Sequence, residues 1–195
     1  MHTVPERSNR FQSAGLIAGL FLGVLQALTL ANAEDRNSFT GKVMRVRDGD
    51  TVVVIDRDNH WSDVRLNGID APEKQRKKGE GGQPYAEKSR EYLSALVLDR
   101  EVTVQWKKYD GFGRIVGTVY VNGEDVNLKM LEEGYAWVFT KYLKDVPAEN
   151  REPYIGAEAV AQEAKRGLSQ YDEPEAPWDF RRRNKERVGA EGRLQ

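Results

Sequence analysis

Asp50, Asp70 and Glu73 are the residues of this chain best placed to do chemistry. Asp50 directly follows a tight-turn signal, Asp48-Gly49, while Asp70 and Glu73 flank Ala71-Pro72. Proline disfavours helix at the residue before it and so bends the chain there. Two acids three residues apart around a fixed bend can converge on one point. Arg65 lies five residues before Asp70, on the strand that feeds the bend. A hard cation suits such oxygen donors, with no nitrogen or sulfur ligand needed. Taken alone, Asp48-Gly49-Asp50-Thr51 also reads as an ordinary hairpin turn.

Composition narrows the choice. The 195 residues include no Cys and two His, which excludes disulfides, thiolate metal sites, Cys nucleophiles and His-rich clusters. Acid–base chemistry must rest on carboxylates, Arg, Lys, Tyr or a bound cation. The 30 Lys+Arg and 31 Asp+Glu give a net charge of −1. That argues against a broad basic surface and leaves room for a local one.

The elements that position these residues follow from periodicity. Phe39–Arg47, Thr51–Ile55 and His60–Gly68 read as three strands separated by Asp-Gly and Asp56–Asn59 turns. In the third, Val64 and Leu66 alternate with Arg65, which therefore faces the other way. A basic, Gly-rich loop over 74–84 carries Lys74, Arg76, Lys77 and Lys78, with a solvated loop as the simpler account. A helix opens at Pro84 with Ala86, Ser89, Leu93, Leu96 and Val97 on one face. Strands over 102–106 and 114–121 follow, then a short helix capped by Asp125 and closed at Gly134, and a last helix over about 153–166. From Tyr171 on, Pro and acidic residues, then Arg181-Arg182-Arg183, predict a partly disordered tail over 171–195. Five short strands with helices to one side predict an α+β fold with a small closed barrel.

Arg7 and Arg10 precede an apolar run from Ala14 to Leu30, with Ala31-Asn32-Ala33 behind it. This predicts a secretory signal over 1–33, cleaved after Ala33, and a secreted or periplasmic protein. The length of the run also allows a retained membrane anchor.

Several segments, in order and spacing, resemble the staphylococcal nuclease (thermonuclease) family. They are Asp48-Gly49-Asp50-Thr51, Val64 through Glu73, Asp110-Gly111-Phe112-Gly113-Arg114, and Val126-Asn127 with Gly134-Tyr135-Ala136 and Tyr142. The resemblance covers 38–170. It implies a five-stranded OB-type barrel with three α-helices and a calcium-dependent phosphodiesterase acting on DNA and RNA, expected as a monomer. Carried over, Asp50 and Asp70 would bind Ca²⁺ through carboxylates and Ala71 through its backbone carbonyl. Glu73 would activate or position the attacking water, and Arg65 and Arg114 would hold the phosphate and stabilise the charge that grows on it. Tyr142 would line the nucleotide pocket.

The set suits the reaction. Phosphodiester hydrolysis concentrates negative charge on the equatorial oxygens, which planar guanidinium forks and a cation can balance. This sequence departs from the family's best-known member at Ala71, where that protein has Thr. Its Lys-Tyr pair is Gly111-Phe112 here, and a second pocket tyrosine is Thr140. Lys107 and Lys108 are candidates to replace the lost cation. Phe112 and Tyr142 could stack on bases. A competing reading is a non-catalytic OB module that binds single-stranded nucleic acid, although such a module has no need of the acids and arginines kept here.

Overall fold

The computed structural model describes residues 37–75, 81–171 and 173–191. The expected leader and most of the basic loop, Arg76 through Lys78 included, lie outside the described residues. No helix among those described is long and apolar enough to cross a membrane.

Strands β1 (Asn37–Asp48), β2 (Thr51–Asp56) and β3 (Trp61–Leu66) form an antiparallel meander. β4 is the two-residue strand Ile69–Asp70, and helix α1 spans Ala86–Val97. Strands β5 (Glu101–Tyr109) and β6 (Ile115–Val121) make a second hairpin. β1 is long enough to serve both halves, pairing through 37–42 with β5 and through 41–48 with β2. Parallel pairing of β3 with β6, Val64 against Ile115 and Leu66 against Gly117, closes the five strands into a barrel. Closure leaves no long open edge, as the α+β reading required.

β-branched residues fill the interior because alternate positions of each strand point inward. Val43, Val52, Val54, Val64, Val102, Val104 and Val119 are fully or almost fully buried, with Leu66. Helix α1 covers one end through Ala86, Ser89, Leu93 and Val97, the face read from its spacing. β7 (Glu124–Asp125) leads into α2 (Val126–Glu132), where the Asp125 carboxylate accepts the Leu128 N–H at 3.0 Å. β8 (Trp137–Val138) pairs with β4 and places Trp137 opposite Asp70. A 3₁₀ turn over Thr140–Asp145 follows. α3 spans Ala148–Glu163, so it begins five residues before the expected start, with Pro153 inside it. Pro147 immediately precedes the first turn of this helix.

The larger correction concerns the C-terminus. Where a partly disordered tail was expected over 171–195, a fourth helix, α4, runs from Pro177 to Glu191. Proline is well suited to a first helical position. Ala176, Pro177 and Phe180 are buried, Trp178 stacks on Phe139 with ring centroids 5.3 Å apart, and Gln83 donates to the Glu175 carbonyl at 2.9 Å. These contacts anchor the start of α4 at the barrel end that carries the carboxylates.

Gly49 sets how closely the β1–β2 turn approaches α1. A Cβ there would meet Ser89 Oγ at 1.9 Å and Ala71 Cβ at 2.7 Å. Ser89 cannot move away freely, because its hydroxyl donates to the Tyr135 carbonyl at 2.7 Å. Gly49→Ala should therefore lower stability by about 1–3 kcal/mol, the usual cost of overpacking. Thermal unfolding checks this, and an unchanged midpoint would show that the turn has room to retreat.

Candidate active site

The β1–β2 turn, the β3–β4 bend and the β5–β6 turn meet around a cleft of about 1000 Å³. Asp50 is the junction of the first two. Its backbone carbonyl accepts the Leu66 N–H at 2.8 Å, tying the turn to the end of β3. Its carboxylate accepts the Thr51 hydroxyl at 3.0 Å and the Ala71 N–H at 2.8 Å. Arg65 stands 3.2 Å from the same carboxylate and donates to Asp70 at 2.8 Å and to the Leu66 carbonyl at 2.9 Å. Val64 and Leu66 are in the core, so strand alternation alone turns Arg65 into the cleft.

Beneath the bend, Asn67 fixes the path of the chain. Its N–H donates to Gly117, and its side chain contacts Thr118, Asn127 and the Asp145 carbonyl at 3.0–3.2 Å. Asn127 also accepts the Val119 N–H at 3.1 Å. Gly68 then turns with φ +69°, where a Cβ would strike Val146 at 2.1 Å. Asp70 emerges almost fully buried.

Glu73 is held at backbone and side chain. Its N–H donates to Gln83 Oε1 at 2.9 Å, and its carbonyl accepts the Gln83 N–H at 2.8 Å. Its carboxylate accepts Arg181 of α4 at 2.6 Å. The same guanidinium reaches both oxygens of Asp70, at 2.7 and 3.2 Å. Burial disfavours charge on Arg181, but the hydrogen bonds and charges of Asp70 and Glu73 outweigh it and lift its pKa further above the ordinary arginine value.

Arg114 faces the acids from the β5–β6 turn. Asp110 shapes that turn: one carboxylate oxygen accepts the Phe112 and Arg114 N–H groups at 2.9 and 3.0 Å, and the other takes Arg114 Nε at 2.7 Å. Burial alone would raise the pKa of Asp110, yet these bonds bring it below the usual carboxylate value. Arg114 Nη1 reaches Thr51 Oγ1 at 3.4 Å, which connects the third loop to the first.

The structure thus brings Asp50, Arg65, Asp70, Ala71, Glu73, and Arg114 into one cleft. Lys108, Phe112 and Tyr142 line it as well, whereas Lys107 does not. The reason is a bulge: Trp106 pairs with Gly117 and Lys108 with Val116, leaving Lys107 as the extra residue on its strand. Lys108 bonds Asp145 at 2.7 Å and lies 5.8 Å from the Tyr142 ring centre. Phe112 is 88% exposed at the rim. Residues that sequence reasoning missed are Asp48, Arg181, Phe139 and Trp178. Asp48 was in view only as the first residue of a turn. Nothing in Arg181-Arg182-Arg183 sets its first arginine apart from a solvated tail.

The donor set fits a divalent cation of the hard class. Asp48, Asp50 and Asp70 offer only oxygen, and Ala71 lines the same cleft. Two of these acids are easier to protonate than ordinary aspartates. Burial, and then the charge of Asp50, pushes the Asp48 carboxyl up to about 7. Burial also pushes Asp70 up to about 6, in spite of Arg181 and Arg65 and with Asp50 adding to the rise. A second acidic group, Asp56, Asp58 and His60, has ligand atoms within 4.8 Å of one another at the far end of β2. There the Asp56 carboxylate accepts the N–H groups of Asp58 and His60 at 2.9 Å, which is what an Asx turn requires of it without any ion.

Comparison with known proteins gives the family. The profile of the family described as "Staphylococcal nuclease homologue" matches residues 63–170. The chain belongs to the staphylococcal nuclease family. It is 32% identical over 166 residues to a Haemophilus influenzae protein named "Uncharacterized endonuclease", covering 85% of this chain and 86% of that one. An Escherichia coli protein of the same name is 37% identical over 145 residues, 73% and 85% of the two chains. A Shigella flexneri "Micrococcal nuclease" is 34% identical over 157 residues, 75% and 83%. Family and site together make this chain a nuclease, a hydrolase by class. The matched span begins after Asp50 and ends before α4, so it includes neither Asp50 nor Arg181.

Within this nuclease, Asp110 is expected to matter through Arg114. Asp110→Ala should leave the barrel folded and lower kcat by roughly 10²-fold, the cost of misplacing a charged group of the cleft. Steady-state kinetics beside circular dichroism would test it. A wild-type rate would mean that Thr51 suffices to aim Arg114.

Proposed function

We propose that this nuclease is an exported, calcium-dependent phosphodiesterase that cuts DNA and RNA. The observation that carries the reading is the convergence of Asp50, Asp70, Glu73 and Arg65 on one cleft, with Arg114 facing them. Asp50 and Asp70, with Asp48 beside them and the Ala71 carbonyl, would hold the ion, whose chemistry when bound is to balance charge on the phosphate and acidify water. Arg65 and Arg114 bind the phosphate as planar donors, Arg65 steadied by the Leu66 carbonyl and Arg114 by Asp110. Glu73 takes the proton of the attacking water. Its backbone N–H and carbonyl are both bonded by Gln83, which fixes where its carboxylate starts from.

Calcium is favoured over magnesium because the donors come from two loops and a backbone bend. Ca²⁺ accepts irregular oxygen shells, whereas Mg²⁺ demands near-octahedral geometry and gives up water reluctantly. The deciding assay is purified protein on plasmid, single-stranded DNA and RNA with Ca²⁺, Mg²⁺ or chelator. Activity should follow Ca²⁺, be weak with Mg²⁺ and vanish in chelator, and Glu73→Gln should lower kcat by roughly 10²–10⁴-fold while substrate still binds. Full activity in excess chelator would overturn the metal reading.

The raised carboxyls add a pH signature. Asp48 and Asp70 carry protons up to about 7 and about 6, and a cation must displace them. Calcium affinity measured by calorimetry should therefore climb as pH rises from about 5 to about 8 and then level off. Equal affinity at both ends would remove these two acids from the ion's shell.

Export is supported by the charged, apolar and small-residue pattern of 1–33. Mass spectrometry of protein from the native host should find Glu34 at the N-terminus. Retention of Met1 on membrane-bound protein would favour an anchor.

A further inference from the structure

The start of α4 is fixed to the cleft by several independent contacts. Trp178 stacks on Phe139 and meets Trp137 edge-on at 6.0 Å, and Ala176 and Phe180 are buried. Arg182 and Arg183 pair with Asp179 and Glu175 of their own segment and remain largely exposed. Arg181 alone of the three turns inward, to Asp70 and Glu73.

Glu73 is also tied to the C-terminal segment through its backbone. Gln83 accepts the Glu73 N–H with its amide oxygen and donates to the Glu175 carbonyl with its amide nitrogen, both at 2.9 Å. Backbone and carboxylate of Glu73 are thus both referred to residues 175–181. Without a cation between them, the Asp70 and Glu73 carboxylates would repel across the Pro72 bend, and a glutamate has three torsions with which to swing away. A planar guanidinium that spans both oxygens of one acid and one oxygen of the other fixes distance and angle together.

We propose that Arg181 is a positioning residue of the nuclease: it holds the Glu73 carboxylate beside Asp70, so that α4 is part of the catalytic unit. The proposal rests on the role of Glu73 given above and adds the element that aims it. Arg181 supplies no proton and need not touch substrate. Its long side chain can yield one Asp70 oxygen to a cation and still keep Glu73.

The test uses the full processed chain carrying Arg181→Ala, Arg181→Lys, Glu73→Gln, or Arg181→Ala with Glu73→Gln, assayed on single-stranded DNA. For Arg181→Ala, kcat should fall roughly 10- to 100-fold with KM within about threefold of wild type. Calorimetric Ca²⁺ affinity should not weaken. Millimolar guanidinium should restore part of the loss, and Arg181→Lys should be intermediate, since lysine keeps the charge without the fork. In the Glu73→Gln background the arginine change should cost nothing further. Wild-type kcat in Arg181→Ala, where Glu73→Gln is inactive, would overturn the proposal and leave the role of Glu73 standing. Wild-type kcat in Glu73→Gln would remove that role and the proposal with it. A faster rate with tighter Ca²⁺ binding in Arg181→Ala would overturn it too, marking Arg181 as a competitor for Asp70.

Discussion

Four carboxylates, those of Asp48, Asp50, Asp70 and Glu73, share one cleft end of a small barrel, and their mutual repulsion is the constraint that the surrounding structure answers. Two unit charges about 4 Å apart interact by roughly 1–4 kcal/mol between water-like and surface-like dielectric. Against this the fold sets Arg65 from the middle of the sequence and Arg181 from its end. Backbone donors help: the Ala71 N–H reaches Asp50 at 2.8 Å, and the Asp50 N–H reaches Asp48 at 3.3 Å. Burial works the other way: chiefly by desolvation, and with the Asp50 charge adding to it, Asp48 and Asp70 remain easier to protonate than ordinary aspartates. An acidic site left in that state is primed for a cation, and phosphate chemistry needs the same two ingredients, a hard ion and planar donors.

The barrel makes such a concentration of charge tolerable by supplying rigid attachment points. β3 is paired on both sides, with β2 and with β6, so Arg65 projects from a strand that cannot shift register. The bend that follows is held from below by the buried amides of Asn67 and Asn127, whose hydrogen bonds reach β6 and the 3₁₀ turn. β4 and β8 then pair for only two residues, enough to set Asp70 opposite Trp137. Fully satisfied buried polar networks of this kind specify one arrangement where apolar packing alone would allow several. Rigidity is inherited by the acids, and general-base or metal-holding roles both depend on it.

Much of this was legible in the residues themselves. Strand alternation put Arg65 opposite Val64 and Leu66, the Asp-Gly and Ala-Pro signals marked the two loops, and Asp125 and Gly134 bounded α2 as their types suggest. What could not be read was long-range. Lys107 and Lys108 look alike in sequence, and only a bulge opposite Gly117 decides that Lys108 enters the cleft. Arg181 is farther still from Glu73, 108 positions along the chain. A run of three arginines after prolines and acids has the composition of a solvated tail. Its docking depends on Trp178 and Phe180, two aromatic residues whose partners no local pattern reveals.

The same long-range assembly bears on substrate grip. Gly111 and Phe112 leave the β5–β6 turn without a lysine or a phenol, and Phe112 instead projects into solvent with the Arg114 guanidinium 5.6 Å from its ring centre. Lys108, the nearest lysine in sequence, already spends its charge on Asp145. The other positive groups lining this cleft are the guanidiniums of Arg65, Arg114 and Arg181 and the ammoniums of Lys74 and Lys141. Along the wall, Tyr142 meets Phe139 edge-on at 4.8 Å and Phe139 stacks on Trp178, a continuous row of rings with Lys141 5.4 Å from the Tyr142 centre. Stacking tolerates every base, and guanidinium contacts to a bridging phosphate tolerate every sequence. A cleft lined by a row of rings and by basic side chains offers a nucleic-acid strand stacking and charge partners together.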